Sequence, residues 1–177
     1  MEMKSSQTKS SQKIKEMVQI AMLTAITYLA VSFLNIPNGI GGVIHLGDSI
    51  IFATAILFGT RHAVISGAIG MTMFDAFSLY AAYAPYTFVI KVVMALILGL
   101  IVNSGNAKGN NWVKNIIGLI LAGAWGVAGY YGAEVIMTGN LYAPVAGMFG
   151  NIIQVTAGGA IAVVLVAALK KTQYFNK

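Results

Sequence analysis

Six stretches of mostly apolar residues, separated by short polar or turn-forming runs, set the pattern of the chain. The first covers about 16–34 and stops in Asn35-Ile36-Pro37-Asn38-Gly39, a dense turn signal. The connection runs through Gly41-Gly42 to about Ile44, and a short second helix is predicted over 46–58. Gly59-Thr60-Arg61-His62 turns the chain into a third, over 63–78. An aromatic loop, Leu79 to Tyr86, carries Pro85 where a fourth helix opens, and that helix reaches about Val102. The run Asn103-Ser104-Gly105-Asn106-Ala107-Lys108-Gly109-Asn110-Asn111 is the clearest loop. A fifth helix follows over 112–137 and a sixth over 145–169, with Thr138-Gly139-Asn140 and Pro144 between them.

Composition turns six helices into six spans. Hydrophobic residues make up 58% of the 177 and charged residues only 9%, where a soluble domain carries about a quarter charged. So much apolar surface needs a bilayer as solvent, and a bilayer demands helices that satisfy their own backbone. The expected fold is therefore all-α: an integral membrane protein of six transmembrane helices. Residues 1–15 are expected as a disordered basic tail and 16–172 as a single membrane domain. The first span is too long for a signal-peptide core and is read as retained. Cysteine is absent and histidine occurs twice, at His45 and His62, so thiol chemistry and a multi-His metal site are not expected. No cofactor is expected. Gly39-Ile40-Gly41-Gly42 lacks the phosphate-cradling pattern with its Lys-Ser/Thr, so the chain has no ATP site of its own.

The net charge of +6 records orientation rather than nucleic acid. Lys4, Lys9, Lys13 and Lys15 precede the first helix, and Arg61 lies between the second and third. Lys108 and Lys114 flank the fourth connection, and Lys170, Lys171 and Lys177 follow the sixth helix. Ten of eleven cations thus fall on one side, which the positive-inside rule makes cytoplasmic, with both termini there. Lys91 is the exception, inside the fourth helix, where a charge costs roughly 3 kcal/mol without a partner or water.

The polar groups near Lys91 all lie toward the outside. Asp48 opens the second helix, Asp75 closes the third, Glu134 is near the end of the fifth, and Asn151 and Gln154 share a face of the sixth. Lys91 with one of the carboxylates reads either as an ion pair fixing the helices or as a ligand contact. Asp48 reads equally as a helix-start carboxylate. Asn151 and Gln154 suit the donor and acceptor edge of a heteroaromatic ring. Tyr80, Tyr83 and Tyr86 form an interfacial belt or stack on a flat ligand, and His45 adds a hydrogen-bonding group in the adjacent loop. The inner halves of the third to sixth helices are dominated by Ala, Gly, Val, Ile and Leu. The expected result is an outward-facing polar pocket above an apolar plug, with the glycine loop 39–42 as its gate.

These positions carry a resemblance. His45-Leu46-Gly47-Asp48, Phe58-Gly59, Gly67-Ala68-Ile69-Gly70, Phe74-Asp75, Tyr83-Ala84-Pro85-Tyr86 through Lys91, and Gly150-Asn151-Ile152-Ile153-Gln154 follow one another as in the substrate-binding S components of energy-coupling factor (ECF) vitamin transporters. The chain looks most like their riboflavin-transporter-type group, which includes members assigned to hydroxymethylpyrimidine or vitamin B6 compounds. The resemblance implies a multi-pass protein of the plasma membrane, of bacterial type, with a transmembrane coupling subunit and two cytosolic ATPase subunits as partners. It also implies that Ala21, Ala25 and Ala30 on the first helix form the docking face for the coupling subunit; small residues at such spacing allow close helix approach in lipid.

Three carboxylates against one lysine favour a neutral or weakly charged solute, a pyridoxine-type B6 vitamer or hydroxymethylpyrimidine, ahead of riboflavin, thiamine or pantothenate. A stand-alone secondary transporter would need polar groups through the full depth of the bundle. An enzyme would need a nucleophile with its base, or a metal cluster, and only the pair Asp48 and Asp75 is on offer.

Overall fold

The computed structural model describes residues 2–37 and 43–172; the glycine loop expected as a gate, and Lys177, lie outside them. In chain order the elements are α1 (Glu2–Phe33), β1 (Asn35–Pro37), β2 (Val43–His45), α2 (Gly47–Leu57) and α3 (Thr60–Ala76). A 3-10 turn (Ala81–Tyr83), α4 (Ala84–Val102), a second 3-10 turn (Ser104–Asn106), α5 (Trp112–Thr138) and α6 (Val145–Leu169) follow. All six apolar stretches are helices.

Two features differ from the sequence expectation. Helix α1 reaches back to Glu2, through residues expected to be unstructured. No Pro or Gly interrupts them, so a helix nucleated by the apolar stretch propagates into the polar one, and Ser10 to Lys15 remain exposed. The connection to α2 is also not wholly irregular. Strands β1 and β2 pair antiparallel, Asn35 with His45, Ile36 with Ile44 and Pro37 with Val43, which amends the all-helical reading. Branched side chains at Ile36, Val43 and Ile44 suit a pleated ribbon, and Pro37 is tolerated at a strand end.

Helix α2 is the centre of the bundle. It has 11 residues, about 16 Å of rise, against a hydrocarbon core of about 30 Å. Nine of them, from Gly47 to Ile56, are buried, and α2 packs against α1, α3, α4 and α6. Gly59, at φ 93°, turns the chain back into α3 in a backbone conformation that side-chain-bearing residues avoid. Among the described residues, four segments are long and apolar enough to cross a membrane: Ser10–Phe33, Ala81–Val102, Trp112–Thr138 and Val145–Leu169. Their outer surfaces are apolar, with Leu100, Ile120, Phe149 and Val164 each more than three-fifths exposed. In water such a surface would aggregate; in lipid it is solvated.

The two ends of the bundle differ in chemistry. At one end Arg61 pairs with Glu16 at 2.6 Å and Asn103, just past α4, donates to the Ala55 carbonyl of α2. Lys170 donates to the Gly109 carbonyl and, at 2.8 Å, to Asn110 Oδ1, while Lys114 donates to Ser104. The hairpin, the α3–α4 connection and the outer turns of α5 and α6 meet at the opposite end. Between them lies a buried apolar cluster including Ile51, Phe52, Met94, Leu98, Val102, Ala162 and Val166.

Candidate functional site

At the end away from the cations, a cleft of about 440 Å³, counting the part open to the outside, is lined by Val43, His45, Asp75, Tyr80, Tyr83, Tyr130, Glu134, Asn151 and Gln154. Each wall has a local cause. Asp75 lies in the last turn of α3, and the 3-10 turn that carries Tyr83 is closed by α4 starting with Pro85 in its first turn. Asn151 and Gln154 are three residues apart on α6 and so meet the same space. Tyr130 and Glu134 are four apart on α5 and do likewise. The hairpin brings in Val43 and His45.

The polar groups divide into a tied set and a free set. Lys91 Nζ donates to Asp48 Oδ1 at 2.5 Å, both side chains wholly buried. Gln154 Nε2 donates to Asp48 Oδ2 at 2.8 Å, and Gln154 Oε1 accepts the His45 backbone N–H at 3.1 Å. Gly158, one turn beyond Gln154, makes this fit possible: a Cβ there would lie 3.2 Å from Asp48 Cβ and 3.3 Å from the Ser49 nitrogen. The Lys91 ammonium also sits 5.1 Å from the centre of the Tyr130 ring, and Tyr130 exchanges a hydrogen bond with Thr87 at 3.1 Å.

The free set faces the cleft. Among the described residues the side chains of Glu134 and Asn151 make no hydrogen bond, and His45 Nδ1 is buried without a partner. Asp75, 7% exposed, is beside the Thr87 hydroxyl and makes no ion pair among the described residues. The His45 ring meets Phe74 edge-on at 6.4 Å, and Phe74 stacks on Tyr80 at 6.2 Å. Burial pulls the His45 pKa from 6.5 to about 4, with the nearby Lys91 charge adding to the shift and Asp48 opposing it. The imidazole is therefore neutral near pH 7, with one ring nitrogen able to accept.

Of the residues singled out from sequence, seven line the cleft: His45, Asp75, Tyr80, Tyr83, Glu134, Asn151 and Gln154. Lys91 and Asp48 lie beneath it, paired to each other, and Tyr86 is half-buried outside it. Asp48 sits in the first turn of α2 but makes no capping hydrogen bond there, because Lys91 and Gln154 take its oxygens. Sequence reasoning missed Tyr130 and Val43. Tyr130 stands one helical turn before Glu134, a spacing that marks it; nothing marks Val43.

Residues 11–171 match the family described as ECF-type riboflavin transporter, S component. The chain belongs to that family. S components are parts of multi-pass membrane transporters and not enzymes, and the apolar exterior agrees with that setting. This S component is 26% identical over 171 residues to the thiamine precursor transporter HmpT of Lactococcus lactis subsp. cremoris (strain MG1363), covering 94% of each chain. It is also 30% identical over 131 residues to an uncharacterized protein of Pyrococcus woesei, covering 73% of this chain and 84% of that one.

Proposed function

We propose that this S component captures a small, single-ring heteroaromatic vitamin or vitamin precursor from outside the cell and delivers it to an ATP-driven ECF importer. Hydroxymethylpyrimidine is the solute that fits best, with pyridoxine-type B6 vitamers next. The observation that carries the reading is the composition of the cleft: tyrosines for a flat ring, and the carboxylates of Asp75 and Glu134 with no free cation beside them among the described residues. The one lysine nearby is already neutralised by Asp48. A site with surplus carboxylate suits a ligand rich in N–H and O–H donors or bearing weak positive charge, and disfavours phosphates and carboxylates. An exocyclic amine and a hydroxymethyl group supply such donors. The similarity to a thiamine precursor transporter supports the same choice.

The membrane topology belongs to this proposal. Helices α2 and α3 complete six spans as a shorter pair joined at Gly59, and the cation-bearing end with both termini faces the cytoplasm. Ala21 and Ala25 are exposed on α1, with Ala30 half-buried, as a face for the coupling subunit of the importer, which two cytosolic ATPases would drive. The setting is the plasma membrane of a bacterial-type cell. Riboflavin is the second reading, carried by the family description. Mass spectrometry of small molecules released from protein purified out of cells grown in rich medium tests the choice. Hydroxymethylpyrimidine or a B6 vitamer is expected; riboflavin at stoichiometric level would replace the reading.

A further inference from the structure

The buried ion pair has no access to the cleft, and yet it is connected to it. Both oxygens of Asp48 are used, one by Lys91 and one by Gln154, and both ends of the Gln154 amide are used in turn. The orientation of that amide follows from chemistry. A carboxylate only accepts and a backbone N–H only donates, so the Gln154 nitrogen must face Asp48 and its oxygen must face His45. The chain of contacts thus runs in one sense, from α4 through α2 and α6 into β2. Its last member, His45, lines the cleft and carries a buried Nδ1 that has no partner among the described residues.

Stability alone is a poor reason for such a chain. A buried ion pair loses in desolvation much of what it gains in attraction, and apolar side chains of similar volume hold helices together as well or better. Apolar side chains would leave the His45 N–H without this acceptor, and β2 would lose its anchor on α6.

We propose that Lys91, Asp48 and Gln154 are positioning residues, a buried hydrogen-bonded chain that anchors β2 to α6 and aims His45 Nδ1 at a donor group of the bound solute. The proposal rests on the reading of the cleft as the solute site. It assigns Lys91 a role at one remove: its charge holds Asp48, Asp48 holds Gln154, and Gln154 sets the place of His45. What Gln154 requires of position 48 is an oxygen, not a charge.

The test uses the full chain in detergent, hydroxymethylpyrimidine as the probe, and hydrogen exchange of the 43–46 backbone amides. Gln154→Met keeps the size of the side chain and removes both hydrogen bonds. It is expected to speed exchange at His45 in the solute-free protein and to weaken binding roughly tenfold or more. The double variant Lys91→Met/Asp48→Asn removes both charges and leaves an amide oxygen for Gln154; it is expected to keep slow exchange and near-native affinity. Lys91→Met/Asp48→Leu, equally uncharged but without that oxygen, should behave like Gln154→Met. Unchanged exchange in Gln154→Met overturns the proposal whatever the solute is. Loss of binding in a folded Lys91→Met/Asp48→Asn variant with slow exchange overturns it too, by assigning Lys91 to the solute directly. Failure of the wild-type protein to bind the probe, with the exchange results as expected, counts against the choice of solute and leaves the positioning chain supported.

Discussion

Asp48 uses each of its oxygens for a different partner, so removing it leaves two groups without one. Asp48→Ala strands the wholly buried Lys91 ammonium without its carboxylate, and breaking a buried pair in this way costs about 3–5 kcal/mol. A large fall in melting temperature in detergent is expected, well beyond that of Lys91→Met/Asp48→Asn, which removes both charges together. His45 sets a pH dependence of known sign. Its pKa falls from 6.5 to about 4 on folding, so between those values the unfolded chain binds a proton that the folded one excludes. The stability this contributes is present above about pH 6.5 and is lost as pH falls toward 4. Melting temperatures across that window should drop less steeply in His45→Phe than in the wild type. At this scale the sequence made much of the site legible, because charged and amide side chains in an apolar helix need a partner or a ligand. It left open which of the two each had. Lys91 and Asp48 proved to be partners, and the contact between them spans 43 positions of chain, a separation that helical spacing does not reveal.

The helices themselves were legible because each is an unbroken apolar run between turn signals, and turn chemistry placed most ends within a few residues. The hairpin was not, since three-residue strands carry too little alternation to stand out from a loop. The reach of α1 to Glu2 was missed because polar composition suggests solvation without deciding conformation. The proposed role of α1 is open to a direct check. Among the described residues its outward face, Met17, Val18, Ala21, Met22, Ala25 and Ile26, is exposed. Ala21→Leu/Ala25→Leu should prevent close approach of a second helix. Co-purification of the coupling subunit is expected to fall severalfold while solute binding is unchanged; undiminished assembly would remove this face from the account.

For the molecule as a whole, the separation of its two ends decides what it can do alone. The cleft lies above the buried Lys91, and beyond it α4 continues with Met94, Ala95, Leu98 and Val102, all wholly buried in the apolar cluster. Among the described residues that cluster is made of apolar side chains, so the chain in liposomes without ATPase partners should bind solute and transport none. Accumulation of labelled solute by the purified chain alone would favour a stand-alone transporter. The most direct measurement is an equilibrium titration of the purified chain with hydroxymethylpyrimidine, pyridoxine and riboflavin, repeated for Glu134→Gln and Asp75→Asn. One-to-one binding of hydroxymethylpyrimidine is expected, tighter than riboflavin, and weakened roughly tenfold or more by each substitution. Tight riboflavin binding indifferent to both carboxylates, with no binding of the single-ring solutes, would contradict it.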